Sequence, residues 1–399
     1  MKLLAVIALL GIALLNIFAL DPPVCRLPST VNRLVDPPVD NSKADADGPH
    51  VFYRGKNIIV KTIERVDTLN MIRVHQYNKR EQILLHCTVP QSGDKFSFYM
   101  KEKLRVEKFE YAQPSQMLVV SDIEGNFEAF KMILQGAGVI DTDFKWTFGD
   151  GHLVLVGDFF DRGLNVTECL WLVYKLESEA EAAGGKVHFI LGNHEIMNLS
   201  GYFDYVRKKY IENAELIGED YSLWYDDHSE LGRWLRTKNA VEKIGDYVFC
   251  HGGISPALAN TDLSLAQINM ITRENLGKPD PKIEDSLARA IFDTREGIFW
   301  YRAAAKNLLT EPEMDKILAF AGAKRMVVGH TLVPDVSALY GGRLICIDLY
   351  HDENLRAGVV KTLYIENGYL YSLNNKGEKS SVFSVAFRNK DGGVVGDRQ

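Results

Sequence analysis

Short apolar runs of the β-type alternate with longer amphipathic stretches from about residue 116 onward. The runs are rich in Val, Ile and Leu and are bounded by turn residues, so we interpret them as buried strands. Asn367-Gly368, between two further runs, predicts a hairpin because a type I′ turn needs two residues that tolerate positive φ. The pattern predicts an α/β fold with mixed sheets. The main predicted strands cover residues 117–120, 153–156, 187–191, 247–250, 326–328 and 344–347.

A helix is predicted at residues 166–183, between the second and third of these strands. Apolar residues recur at helical spacing from Cys169 to Leu176, which gives this helix one buried face. Acidic residues follow towards its end, and we expect Glu177, Glu179 and Glu181 to lie on a solvated face.

A different pattern precedes this region. Short runs with strand character are separated by turn residues between residues 50 and 115, which predicts a small antiparallel β-domain. The sequence does not define its role: a packing or spacer module and a module that recognises a substrate or partner both stay open. The runs cover residues 51–53, 58–60, 71–74, 83–85 and 96–99.

The N-terminus is strongly apolar. Residues 1–20 have a length between that of a signal-peptide core and that of a membrane-spanning helix, so a cleaved signal peptide and a retained membrane anchor both stay open. Either one places the body of the chain outside the cytoplasm, in the periplasm, on the envelope or secreted. Residues 21–49 hold six of the 13 prolines and predict an extended linker, and residues 379–399 predict a polar tail.

Composition excludes several classes of protein. The 46 Lys+Arg and 53 Asp+Glu give a net charge of -7, which argues against binding to a nucleic-acid polymer through a basic surface. The 5 cysteines are scattered without a CxxC pair, which excludes a disulfide-dense scaffold and a zinc ribbon.

Polar clusters follow five of the predicted strands, and each contains glycine. Ligand sites in α/β proteins lie at the carboxyl ends of strands, where loops converge. Asp, Glu, Asn and His are the donors that hard to borderline divalent metals prefer, so the clusters predict a metal site. They read SDIEGN (121–126), GDFFDRG (157–163), GNHE (192–195), HGG (251–253) and GHT (329–331).

Together these clusters resemble the motifs GDxHG, GDxxDRG, GNHE, HGG and GHT of the calcineurin-like metallophosphoesterases, in their phosphoprotein phosphatase branch. The stretches at residues 192–199, 233–235, 300–302 and 342–348 are similar to Shewanella-like protein phosphatases. The resemblance covers residues 116–375. It implies a metallophosphoesterase-type sandwich of two mixed β-sheets flanked by helices, with a catalytic domain at residues 116–378.

The resemblance also implies two divalent metal ions. Manganese is the expected metal, with Fe, Zn, Mg and Ca as alternatives. A pair of cations needs a bridging carboxylate, which Asp158 would provide, and together the cations would generate a bridging hydroxide that attacks phosphorus. The implied ligands are Asp122, Asp158 and position 124 for the first metal, and Asp158, Asn193, His251 and His330 for the second.

The same resemblance assigns the other catalytic roles. His194 would be the general acid that protonates the leaving oxygen, with Asp161 holding its ring. Arg162 would clamp the phosphate bidentately. Arg302 is the candidate for a second clamp, and Arg233 is the alternative.

Two positions depart from the family pattern. Glu124 stands where the family has histidine, and Ser121 replaces the usual glycine. Glu124 either ligates the first metal through oxygen, which favours Mn²⁺, Mg²⁺ or Ca²⁺, or fails to reach it and leaves that metal weakly bound.

These residues predict a hydrolase that cleaves phosphomonoesters, with a phosphorylated protein or peptide as substrate. A small-molecule or nucleotide phosphoesterase of the same fold and a non-catalytic metal-binding module are the alternatives. The insert at residues 198–237 distinguishes a protein or peptide phosphatase from a small-molecule phosphoesterase. A deep pocket roofed by the insert suits a small molecule, and a shallow groove suits a peptide.

Overall fold

A computed structural model describes residues 40, 42–78, 81–278 and 285–382. All of these belong to one compact unit. Among them, no helix has the length and apolar character needed to cross a membrane. The predicted signal peptide or anchor at residues 1–20 lies outside the described residues, as does most of the predicted linker.

The strands supply the layers of the fold. In chain order they are β1 (Asp47–Arg54), β2 (Asn57–Val66), β3 (Leu69–Asn78), β4 (Leu84–Thr88), β5 (Lys95–Tyr99), β6 (Glu110–Tyr111), β7 (Gln116–Val120), β8 (His152–Val156), β9 (Lys186–Ile190), β10 (Val241–Ile244), β11 (Tyr247–Cys250), β12 (Arg325–Val328), β13 (Ser337–Leu339), β14 (Leu344–Cys346), β15 (Lys361–Glu366), β16 (Tyr369–Asn374) and β17 (Lys379–Ser381).

Helices connect and cover these strands. They are α1 (Phe127–Gly136), α2 (Val166–Ala182), α3 (Asn193–Leu199), α4 (Lys208–Ile217), α5 (Glu230–Leu235), α6 (Pro256–Ala259), α7 (Leu265–Asn275), α8 (Ser286–Phe292), α9 (Glu311–Ala321) and α10 (His351–Arg356), with 3₁₀ turns at Tyr221–Tyr225 and Tyr340–Gly342.

Two six-stranded sheets form the centre of the molecule. Their strand orders are β17-β16-β15-β7-β8-β9 and β13-β14-β12-β11-β10-β6. The neighbours β7, β8 and β9 run parallel, as do β11, β12 and β14, whereas β15 and β16 form an antiparallel hairpin. Both sheets are therefore mixed.

Apolar side chains from both sheets meet in one buried cluster. Val119 and Val154 come from the first sheet, and Phe249 and Val327 come from the second. Strands that are buried on both faces need continuous apolar runs, which explains why the sequence pattern located them well. The structure confirms the predicted α/β sandwich of mixed sheets flanked by helices.

The antiparallel β-region before the sandwich is also present. Strands β1 to β3 form one sheet, and β4 pairs with β5. This region shares its core with the catalytic part of the chain: Phe52 and Phe98 belong to the same buried cluster as Trp171 of α2, whose indole N–H donates to the carbonyl of Pro49 at 2.8 Å. The predicted antiparallel β-domain therefore packs as a layer against the outer side of α2.

Two expectations from the sequence differ from the structure. Glu177 is buried and not solvated, because it accepts hydrogen bonds from Lys238 at 2.6 Å and from the indole of Trp234 at 2.8 Å. The described end of the predicted linker is also held in place, since the backbone N–H of Ala44 donates to Glu212 of α4 at 2.7 Å.

The C-terminal boundary differs slightly from the predicted tail. Strand β17 adds Lys379–Ser381 to the edge of the first sheet by pairing with β16. Residues 383–399 lie outside the described part of the chain.

Candidate active site

The polar clusters that follow β7, β8, β9, β11 and β12 meet at one edge of the two sheets. The backbone N–H of Asp122 donates to Gly157 at 3.0 Å, which joins the first two loops. The carboxylate of Asp122 accepts from the N–H of His330 at 3.1 Å, which joins the first sheet to the second. The spatial convergence that the metal hypothesis required is therefore present.

Asp158 lies at the centre of this convergence and is 2% exposed. Its Oδ2 is 3.0 Å from Nε2 of His251 and 3.8 Å from Nε2 of His194. Donor atoms of Asp158, His251 and His330 all lie within 4.8 Å of one another, and so do those of Asp158, Glu124 and His194. Asp158 is thus the residue shared by both candidate metal clusters.

Lone pairs converge in the cluster around His251. Its Nδ1 donates to the carbonyl of Val156 at 2.8 Å, so Nε2 faces the Oδ1 of Asn193 at 3.0 Å and Oδ2 of Asp158. Three such atoms repel unless a positive charge lies between them. Burial lowers the pKa of His251, but Asp158 outweighs this effect and raises that pKa to about 10, so positive charge is favoured at this position.

The imidazole of His330 supports the same conclusion. Its Nε2 is buried and has no hydrogen-bond partner among the described residues. Burial and the neighbouring His251 hold the pKa of His330 well below its usual range, which keeps the ring in the neutral form that binds metals. The donor set of Asp158, Asn193, His251 and His330 fits a divalent cation.

The first candidate site lies beside Asp122 and Glu124. Asp122 is 7% exposed and also forms a short contact with the hydroxyl of Ser121. Glu124 makes an ion pair with Arg162. Burial raises the pKa of Glu124 to about 7. The departure from the family histidine therefore places a carboxylate at the site, engaged here by the arginine that was predicted to hold phosphate.

The two residues predicted to take part in proton transfer, His194 and Asp161, are both buried. Nδ1 of His194 lies 2.6 Å from Oδ2 of Asp161. Burial opposes protonation, but Asp158 and Asp161 outweigh it and raise the pKa of His194 to about 9. The imidazolium form, which can donate a proton through Nε2, is therefore favoured.

Two arginines flank this pair and the metal ligands. Nη2 of Arg162 is 3.4 Å from Nε2 of His194. Arg302 donates to the carbonyl of His330, and its Nη2 lies 3.4 Å from Nδ1 of that residue. Arg233, the alternative second clamp, instead lies over the ring of Tyr53 at 4.2 Å. The structure thus brings Arg162 and Arg302 to the site.

A family model for calcineurin-like phosphoesterases matches residues 116–334, which span these clusters. The chain belongs to the calcineurin-like phosphoesterases. Members of this family bind divalent metal ions, in agreement with the donor sets described above. The predicted class, a hydrolase of the dimetal phosphoesterase type, is confirmed.

Two curated relatives are Shewanella-like protein phosphatases. Shewanella-like protein phosphatase 1 of Plasmodium berghei (strain Anka) is 32% identical over 229 residues, which are 55% of this chain and 62% of the relative. Shewanella-like protein phosphatase 2 of Arabidopsis thaliana is 26% identical over 323 residues, 69% of this chain and 81% of the relative. The chain thus spans less than two thirds of the Plasmodium relative.

A solved structure extends the likeness to the fold. The crystal structure of the cold-active protein-tyrosine phosphatase of a psychrophile, Shewanella sp., has a TM-score of 0.75 and 30% identity to this chain. The match covers 85% of this chain and 100% of that one. The resemblance to Shewanella-like phosphatases that the motifs indicated is confirmed.

Two residues of this calcineurin-like site were not among the predicted functional positions. Glu195 accepts backbone N–H bonds from Gly192 at 2.6 Å and from Asp158 at 2.9 Å, which fixes the loops that carry the ligands. Asn198 donates to Oδ1 of Asp161 at 3.0 Å. Glu195 is part of the GNHE motif and Asn198 follows His194 by one helical turn, so spacing offered a signal for both.

Backbone strain is concentrated at this site of the calcineurin-like domain. Non-glycine residues with positive φ cost of order 1–3 kcal/mol each and persist where the surrounding structure holds them. At this site they are Asp122 (φ 53°), Glu124 (φ 48°), Asp158 (φ 57°), Asp161 (φ 72°), Arg162 (φ 55°) and His330 (φ 62°).

A cleft of about 240 Å³ opens beside the first candidate site. It is lined by Asp122, Glu124, Arg162 and the segment from Asp348 to Glu353. None of the lining residues comes from the insert at residues 198–237. That insert reaches the site through Tyr205, whose ring lies 5.2 Å from the ring of His194.

Proposed function

We propose that the protein is a metal-dependent phosphatase that hydrolyses phosphomonoesters on phosphorylated proteins or peptides. The observation that carries this proposal is the gathering of metal-donor atoms around Asp158, with the His194–Asp161 pair beside them. A metal cluster alone would serve a binding module, but a buried acid next to it and two arginines within reach are what phosphoryl transfer requires.

We assign the metal ligands as the sequence implied. Asp122, Glu124 and Asp158 would hold the first cation, and Asp158, Asn193, His251 and His330 the second. Bound there, the cations would activate water for attack on phosphorus and neutralise charge on the phosphoryl oxygens. We propose Mn²⁺ as the resident metal, because the first site offers only oxygen donors and the second mixes oxygen with imidazole nitrogen.

His194 donates the proton to the leaving oxygen. Asp161 binds Nδ1, which leaves Nε2 directed towards Asp158 and Arg162, where the leaving group departs. The two carboxylates keep the ring protonated until the transition state needs the proton.

Arg162 and Arg302 hold the phosphate. Each presents a planar fork of N–H donors on one side of the cluster, Arg162 beside His194 and Arg302 beside His330. This fork suits two phosphoryl oxygens at once. Arg162 must leave Glu124 to do so, which follows when Glu124 engages a metal.

The size of the cleft supports a macromolecular substrate. Pockets that enclose small-molecule ligands commonly have ~300–1,000 Å³. The cleft at the site has about 240 Å³ and is not lined by the insert at residues 198–237. It admits a phosphorylated side chain while the rest of a peptide lies outside.

Phosphotyrosine is the side chain that we propose first. Tyr205 is 44% exposed, and its ring contacts His194 on the side of the leaving group. An exposed aromatic ring there favours an aromatic leaving group through ring–ring packing. The Shewanella relative of known structure is described as a protein-tyrosine phosphatase, which supports this preference.

The test is a substrate panel with the Mn²⁺-loaded protein. Peptides of one sequence that carry phosphotyrosine, phosphoserine or phosphothreonine are compared with nucleotides and p-nitrophenyl phosphate. We expect the phosphotyrosine peptide to have the highest kcat/KM among the biological substrates. Faster turnover of nucleotides would establish the small-molecule alternative. Metal binding without turnover of any substrate, with Mn, Fe, Zn, Mg or Ca, would establish a non-catalytic metal-binding module.

Two variants refine the test of phosphotyrosine preference. Tyr205→Leu should lower the ratio of kcat/KM for phosphotyrosine over phosphoserine peptide, and Tyr205→Phe should retain it, because only the ring is required. An unchanged ratio in Tyr205→Leu would remove this residue from substrate selection.

Location outside the cytoplasm remains our proposal, and it rests on the apolar sequence of residues 1–20. Fractionation of cells that express the full chain, compared with a variant lacking residues 2–20, tests it. Equal recovery of both forms in the cytoplasm would exclude this location. Association of the full chain with the membrane fraction would favour a retained anchor.

A further inference from the structure

Asp348 contributes a buried carboxylate to the cleft beside the first candidate metal site. It follows β14, is 5% exposed, and lines the cleft together with Asp122 and Glu124. Within the described part of the chain, no hydrogen bond or ion pair engages its side chain, whereas Asp158 and Asp161 are both bound by histidines.

A buried carboxylate without a partner is unfavourable, because burial removes its hydration and nothing replaces it. Proteins retain such a group where it meets a cation or where it stays protonated. Asp122, Glu124 and Asp348 line the same cleft, and of these three Glu124 is the one paired with an arginine, Arg162.

Arg162 does not meet this need. It is engaged with Glu124, and it is the residue that must bind phosphate during turnover. Arg302, the other arginine at the site, donates to the carbonyl of His330. Neither arginine pairs with Asp348, so a cation that neutralises this carboxylate would be one bound from solvent.

His351 provides an independent indication at the same cleft. It is 6% exposed, and its Nε2 lies 3.0 Å from the carbonyl oxygen of Ser121, next to Asp122. Its Nδ1 is buried and has no partner among the described residues. A second polar atom without a partner among the described residues thus belongs to a residue that lines the same cleft as Asp348.

We propose that Asp348 is an additional carboxylate of the first metal site, acting with Asp122 and Glu124 and making that site selective for hard divalent cations, Mn²⁺, Mg²⁺ or Ca²⁺, over Zn²⁺. Its carboxylate would add to those of Asp122 and Glu124, the second of which stands where the family motif has histidine. Oxygen-rich ligand sets favour hard cations, whereas imidazole and thiolate favour softer ones. This inference rests on the proposed two-metal function.

Metal binding by the full chain tests the inference. Mn²⁺ is titrated into metal-free wild type, Asp348→Asn and Glu353→Gln by calorimetry, with electron paramagnetic resonance as a second readout. Glu353→Gln is the matched control, since it removes an exposed carboxylate from the same cleft. We expect wild type and control to bind two Mn²⁺ ions, and Asp348→Asn to weaken one of the two by at least about tenfold.

A change of ligand type gives a positive signal that a merely structural residue would not give. In Asp348→Cys, the thiolate should shift metal preference towards Co²⁺ and Zn²⁺ and produce a sulfur-to-cobalt charge-transfer band in the near ultraviolet. Circular dichroism before metal addition confirms that each variant is folded. If Asp348→Asn is not folded, the band in Asp348→Cys decides.

The outcomes separate the inference from the function on which it rests. Two Mn²⁺ ions bound by Asp348→Asn with wild-type affinity, or no charge-transfer band in folded Asp348→Cys, would overturn the role of Asp348. A wild-type protein that binds no metal would instead overturn the two-metal function itself.

Discussion

The guanidinium of Arg207 donates a hydrogen bond to the carbonyl oxygen of Arg162 at 2.9 Å. The carbonyl of Tyr205 accepts from the N–H of Arg162 at 3.2 Å, so both backbone groups of this residue are held from the same segment. Asp40 in turn binds Arg207 at 2.8 Å. Asp161 and Arg162 both have positive φ, so these hydrogen bonds stabilise a strained loop. The loop contains two of the proposed catalytic residues.

Arg207→Ala should therefore impair phosphate binding without contacting substrate. Loss of one hydrogen bond of ~1 kcal/mol would raise KM for p-nitrophenyl phosphate about fivefold, with a smaller change in kcat. Steady-state kinetics on the Mn²⁺-loaded protein measure both constants. Lys208→Ala is the control, because this neighbour forms only an exposed ion pair with Glu212 at 3.1 Å and should retain the wild-type KM. An equal KM in both variants would show that the loop keeps its conformation without the hydrogen bond from Arg207.

His194→Asn tests the general acid through the leaving group. Removal of a general acid typically costs about 10²–10⁴-fold in rate, but only where the leaving oxygen needs a proton. We expect a loss in this range for an alkyl phosphate and a much smaller one for p-nitrophenyl phosphate, whose leaving group is stable as an anion. The two kcat/KM ratios to wild type provide the measurement. Equal losses would exclude proton donation by His194.

The sequence located the catalytic loops because their signals are local. Each strand is a short apolar run, and each ends in a polar cluster with glycine, as in Gly157-Asp158 and Gly192-Asn193. Parallel strands bring their carboxyl ends to one edge, so the strand pattern predicts that these loops meet, whereas the central place of Asp158 was implied by the resemblance to the metallophosphoesterases.

The contacts that the sequence did not indicate join distant segments. Trp171 donates a hydrogen bond to the carbonyl of Pro49, and Lys238 donates one to Glu177. Nothing in the local sequence pattern predicts either partner. Glu177 is buried against Trp234 of α5 and Lys238, and helical periodicity cannot detect a second covering surface. Asp348 was visible as part of a motif, but its unpartnered burial appears only in three dimensions.

Asp158→Asn tests the shared carboxylate. One side chain serves both proposed metal sites, and its Oδ2 lies 3.0 Å from Nε2 of His251. The amide keeps the shape but offers one neutral oxygen, so we expect both metals to be lost on dialysis and turnover to fall by more than the ~10²–10³ of a single electrostatic group. Metal content by plasma mass spectrometry and kcat measure this. Retention of two tightly bound ions would contradict a bridging role.

Stability in acid should depend on Glu107, far from the catalytic cleft. Its carboxylate lies 2.7 Å from Nζ of Lys186 and 3.2 Å from Nζ of Lys238. Burial alone would raise its pKa, but these lysines lower the pKa of Glu107 to about 2, below the ordinary 4.5. A lowered carboxyl pKa stabilises the fold above the unfolded value of 4.5, and this stability is lost as pH falls towards 2.

A pKa shift of this size contributes about 3 kcal/mol to the free energy of unfolding at neutral pH, and about 2 kcal/mol of this contribution is lost by pH 3. Between pH 7 and pH 3, the free energy of unfolding of wild type should thus fall about 2 kcal/mol further than that of Glu107→Gln. Urea unfolding with chelator present measures this, so that metal release does not contribute. Glu102→Gln removes an exposed carboxylate from the same segment and should follow the wild-type curve. Parallel curves for wild type and Glu107→Gln would mean that the two lysines do not hold this carboxylate ionised in the folded state.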